Sequence, residues 1–152
     1  MQSADDRVLQ IEAGDMELFR IAAQARESLS FFIRKMQNPA EGERDFQVKY
    51  PFPASADSGF ESEYLWLKDI VFFDGTYYGT ISAEPYYTNY HKKGERVPFA
   101  LDDITDWMFV SGGRIIGGLS IKYLIEKIPE MERDARLNGL LERFAQEFQI
   151  RR

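Results

Sequence analysis

The hydrophobic repeat changes period between Asp102 and Ile128 (DDITDWMFVSGGRIIGGLSIKYLIEKI). Ile104–Val110 and Arg114–Gly117 read as short strands joined by a tight turn at Ser111-Gly112-Gly113. After Gly117-Gly118 the apolar residues fall at Ile121, Leu124, Ile125 and Ile128, the spacing of a single stripe on a helix. Ser120 stands where a helix cap is expected. A hairpin that runs through glycines into an amphipathic helix must lay a helix on a sheet, because neither apolar face can be left in water.

The rest of the chain supplies the other layers. Residues 1–14 form a leader, with a short strand expected at Val8–Ile11. Asp15 is a candidate N-cap, and Leu18, Ala22, Ala25, Leu29, Phe32 and Met36 then mark one face of a helix over 15–37. Asn38-Pro39 ends it. Phe46, Val48 and Tyr50 alternate with polar residues, as in a half-buried strand, which Pro51-Phe52-Pro53 stops. Glu61–Leu67 reads as a second strand, which Lys68-Asp69 either continue or bend. Ile70–Phe73 and Thr76–Ile81 read as a hairpin closed by Asp74-Gly75, a pair suited to the positive φ angles of a type I′ turn. Pro98 assigns Arg96–Leu101 to a sheet edge, since proline offers no N–H to a ladder. Pro129 suits the first turn of a last helix, whose apolar face is Leu137, Leu140, Leu141, Phe144 and Phe148.

The prediction is a single α+β domain over 1–152: leader 1–14, helix 15–37, sheet region 44–119, helical C-terminus 120–149. Short connections favour antiparallel pairing. The architecture expected is a curved antiparallel sheet or small barrel of five to six strands, with one N-terminal helix and two C-terminal helices.

The formal charge of −6 disfavours a general nucleic-acid binder, which needs a basic face, and disfavours anionic membranes. It fits a partner with a basic surface. With no cysteine there is no thiolate zinc site, disulfide or cysteine nucleophile. The polar N-terminus is unlike a signal peptide, so a cytoplasmic location is expected. Oligomeric state is not readable.

Chemistry-bearing residues are few. Glu63, Asp106 and His91, the only histidine, are the candidates for acid–base catalysis, since a carboxylate beside tryptophan can have its pKa raised. Asp102, Asp103 and Asp106 lack the ladder of an EF-hand, so no metal is assigned. Gly117-Gly118 before a helix start at Ser120 could present N–H groups to an anion, although no Walker or dinucleotide motif is present. Tyr86, Tyr87 and Tyr90, with Lys92 and Lys93, form an aromatic loop suited to stacking. Trp66 and Trp107 complete the candidate ligand-binding residues: Trp66, Tyr86, Tyr87, Tyr90, Trp107, Gly117, Gly118 and Ser120. No cofactor is implied.

Several segments recur together in a known order. They are Val48-Lys49-Tyr50-Pro51-Phe52, Glu63-Tyr64-Leu65-Trp66, Gly94-Glu95, Ile104-Thr105-Asp106-Trp107-Met108, Gly113, and Gly117-Gly118-Leu119-Ser120. From about Phe46 to Ile128 the chain resembles the YegJ-like bacterial family, domain of unknown function 2314. Tyr64 stands where the family usually has histidine, and Ala83-Glu84-Pro85 where Asn-x-Pro is typical. The family has no settled activity, so the resemblance implies fold and organisation. The function expected is a non-catalytic interaction or ligand-binding module; the alternative is a small acid–base hydrolase using Glu63 and Asp106.

Overall fold

The computed structural model describes residues 15–145. Helix α1 (Met16–Glu27) starts where the Asp15 carboxylate accepts from the N–H groups of Glu17 and Leu18, at 2.8 and 3.2 Å. The helical stretch expected over 15–37 breaks at Ser28 into α1 and α2 (Leu29–Gln37). The Ser28 hydroxyl donates back to the carbonyls of Gln24 and Ala25, a bond that bends helices. The same oxygen accepts from Trp107 Nε1 at 3.0 Å, so the break is also a fastening point for the sheet.

Six strands follow: β1 (Glu43–Pro53), β2 (Ser62–Phe73), β3 (Thr76–Ile81), β4 (Arg96–Phe99), β5 (Asp106–Ser111) and β6 (Arg114–Gly117). Their order is β4-β3-β2-β1-β5-β6, antiparallel throughout, an open sheet rather than a closed barrel. Pro98 lies in the edge strand β4. The edge of β6 is covered at Ile115, which bridges Phe144 and accepts from the N–H of Ala145.

One alternative is resolved and two local expectations change. The segments Glu61–Leu67 and Ile70–Phe73 are one strand, carried through a bulge by Asp69 at φ 49°, a conformation that aspartate tolerates better than most residues. Helix α3 (Leu119–Lys127) is capped by Gly118 at φ 66°, not by Ser120, which is already inside the helix. Helix α4 (Ala135–Arg143) starts after Asp134, whose side chain caps Leu137 N–H; Pro129 instead precedes a 3-10 turn at Glu130–Glu132. Val8–Ile11 and Phe148 lie outside the described residues.

Strand alternation separates two faces. Val48, Leu65, Leu67, Ile81, Trp107 and Phe109 share the core face with Phe32 of α2. Aromatic rings fill this layer, with Phe46 stacked on Phe109 at 4.9 Å and Trp107 tilted against Phe32 at 5.4 Å. Lys49, Tyr64, Trp66, Asp106 and Met108 belong to the second face. There α3 meets the start of β5, and α1 packs against both β5 and α3.

Candidate functional site

On the second face, Lys49 of β1 is directly opposite Asp106 of β5, and both are buried. Ser120 joins them. Its hydroxyl donates to Asp106 Oδ2 at 2.5 Å, its N–H donates to the same oxygen at 2.9 Å, and Lys49 Nζ reaches its Oγ at 3.4 Å. Asp106 Oδ1 accepts from Trp107 N–H at 2.8 Å. The anion at the positive end of α3 is thus the protein's own carboxylate. Burial raises the pKa of Asp106, against the bonds from Ser120, the charge of Lys49 and the bond from Trp107.

The glycine pair makes this corner possible. At Gly117 (φ 79°) a side chain would meet the Trp107 carbonyl oxygen at 2.3 Å and its ring at 2.7 Å. Gly118 N–H donates to that carbonyl at 2.8 Å. The close approach turns β6 into α3 and delivers Ser120 to Asp106.

Above Ser120 and Lys49 opens a cleft of about 180 Å³. Leu18, Phe19 and Ala22 of α1 give it an apolar wall, while Tyr64, Thr105 and Arg26 complete its sides. Lys49 Nζ lies 5.6 Å from the centre of the Tyr64 ring, within cation–π range. Arg26 is tied to the Ile104 carbonyl at 3.2 Å.

Glu63 is elsewhere. It pairs with Phe52 on β1, three residues beyond Lys49, so alternation puts it on the core face, opposite to Asp106. Its carboxylate accepts from three successive N–H groups, those of Tyr86, Tyr87 and Thr88, at 2.7, 2.8 and 2.9 Å. The structure does not bring the two carboxylates into one cleft. His91 pairs with Glu95, Nδ1 lying 2.5 Å from that carboxylate, and its ring is edge-on to Phe52 at 5.0 Å.

The other candidates scatter. Trp107 is 2% exposed and belongs to the core. Trp66 is half-buried on the second face, and its carbonyl holds Ser82. Tyr86 and Tyr90 stand out from the Glu63-anchored loop, whereas Tyr87 packs on Phe60 at 4.7 Å. Of the candidates, Ser120 alone lines the cleft. Lys49, Tyr64, Arg26 and the α1 residues were missed as a group. The sequence signal for Lys49 was its place between Val48 and Tyr50, where alternation gives it a face, but not which helix covers that face.

Comparison with known proteins follows the same stretch of chain. The family model described as "uncharacterized protein conserved in bacteria (DUF2314)" matches residues 15–140. A "Putative ankyrin repeat protein" of Neisseria meningitidis serogroup B is 34% identical over 134 residues, 85% of this chain and 53% of that relative. The uncharacterized protein YegJ of Escherichia coli K12 is 33% identical over 110 residues, 72% of this chain and 68% of that relative. The chain therefore spans about half the length of the meningococcal relative. No solved structure matches. Among the described residues, no helix is long and apolar enough to cross a membrane.

Proposed function

The chain belongs to the DUF2314 family of bacterial proteins, and on that premise we propose that it is a non-catalytic binding module whose ligand enters the cleft between α1 and the second face of the sheet. One observation carries the reading: an apolar-walled cleft ends on a polar floor of buried side chains already fixed to one another. Concave, mostly apolar sites with a few preset polar groups are the usual form of small-ligand sites. The matching ligand is a small molecule with an apolar body and one polar end.

Ser120 is 2% exposed at the base of the cleft, and in this reading its hydroxyl serves to tie α3 to Asp106 and Lys49. A hydrolase built on Glu63 and Asp106 would need both carboxylates at one reacting centre, and they occupy opposite faces.

An NMR fragment screen tests the reading. Binders are expected to shift the amides of Leu18, Ala22 and Thr105, and Leu18→Trp, which fills the cleft from a half-buried position, should abolish those shifts. A screen in which no fragment moves these amides counts against the proposal.

A further inference from the structure

Strand β2 outruns its neighbour. β1 and β2 pair only between Val48–Leu67 and Pro53–Ser62. Just past that point Asp45 (φ 59°) and Asp69 (φ 49°) form bulges, and the two strands part. From Lys68 to Phe73, β2 is paired on its β3 side alone among the described residues. The two-residue turn at Asp74-Gly75 makes Phe73 and Thr76 a hydrogen-bonded pair. Alternation then points the N–H and C=O of Phe72 to the open side. Lys68 and Asp69 charge its start, but its last three side chains are apolar and uncovered: Val71, Phe72 and Phe73 are 38%, 61% and 71% exposed. Folded proteins ordinarily cover an apolar edge of this kind.

We infer that this edge is an interface for a second copy of the chain, β2 pairing antiparallel with β2 about a twofold axis near Val71. The segment Lys68-Asp69-Ile70-Val71-Phe72-Phe73-Asp74 is charge-complementary to itself in that direction only. Antiparallel pairing sets Lys68 of each copy toward Asp74 of the other, whereas parallel pairing would set lysine against lysine. The exposed apolar residues then cover one another, and the main-chain groups of Phe72 gain partners. This surface is separate from the cleft and does not rest on the ligand reading.

The absence of cysteine supplies a clean test, because Val71→Cys introduces the sole thiol. Residues facing each other in a non-hydrogen-bonded antiparallel pair have Cα atoms about 4.5 Å apart, within disulfide range. Sedimentation should give twice the mass of the chain, and oxidised Val71→Cys should become a covalent dimer much faster than a Ser58→Cys control. Phe72→Lys should sediment as a monomer with an unchanged circular dichroism spectrum. Lys68→Asp should weaken the dimer, and adding Asp74→Lys should restore it. A monomer at every concentration up to the solubility limit overturns the inference. So does a dimer that survives Phe72→Lys or fails to cross-link at position 71.

Discussion

Two buried carboxylates on opposite faces of one sheet do similar work under different conditions. Glu63 gathers three N–H groups from a loop more than twenty residues away in sequence, and so pins Tyr86–Thr88 to the start of β2. Asp106 gathers the N–H groups of Trp107 and Ser120, the Ser120 hydroxyl and the charge of Lys49, and so locks α3 to β5. Glu63 and Thr88 are themselves buried, but every donor to Glu63 is a neutral N–H group. The group around Asp106 includes a buried cation: Lys49, Trp107 and Ser120 are all at least 95% buried. The bond counts are alike; the charge of Lys49 sets the difference in the cost of losing them.

The comparison is broken most severely at Asp106. Asp106→Ala leaves a buried lysine without its carboxylate and several donors without an acceptor. A loss of about 3–5 kcal/mol is expected, the range for removing one member of a buried charge pair. Urea unfolding measures it, and a loss below that of the Glu63 variant would show that the charge of Lys49 is not what separates the two sites.

Glu63→Ala is expected to cost less, about 1–3 kcal/mol, since it leaves neutral N–H groups and no buried cation without an acceptor. Its effect should be local. Hydrogen exchange at Tyr86, Tyr87 and Thr88 should accelerate while the amides of α3 keep their protection. Exchange that rises equally in α3 would mean that the two faces unfold as one unit.

How much of this could be read in the sequence differs between the two sites for a physical reason. The hairpin at Asp74-Gly75, the edge at Pro98 and the helix after Gly118 follow from local rules of turn and period, and the structure has them in place. Asp106 and Ser120 were legible as members of one strand–glycine–helix unit because they lie fourteen residues apart, although the local rule made Ser120 a cap rather than a donor to Asp106. The Glu63 loop and the cleft depend on pairings between distant segments. Nothing near Glu63 announces that Tyr86–Thr88 will turn their N–H groups toward it. Nothing near Lys49 announces α1. The break at Ser28 was hidden for a similar reason, because its partner, Trp107, is 79 residues away.

The finest distinction between the two faces is the response of Asp106 to pH. Burial raises its pKa in the folded protein, against hydrogen bonds from Ser120 and Trp107 and the charge of Lys49. Between the ordinary aspartate value and that raised value, the folded chain holds more of this proton than the unfolded chain does, so the contribution of Asp106 to stability falls as pH rises. Three other described carboxylates run the opposite way, exposed Glu17 among them through the bond from Arg20. Glu43 is held below its ordinary value by the N–H of Ala40 and by Lys35; at Asp15, burial is outweighed by bonds from Tyr123, Leu18 and Glu17. Their contributions are present above the ordinary carboxylate range and are lost as pH falls. Total stability mixes both signs, so the measurement is the difference between the wild type and Asp106→Asn in urea midpoints across a pH series. That difference should shrink as pH climbs from the ordinary aspartate range. If it grows instead, Ser120, Trp107 and Lys49 outweigh burial, and Asp106 stays ionised at the polar floor of the cleft throughout.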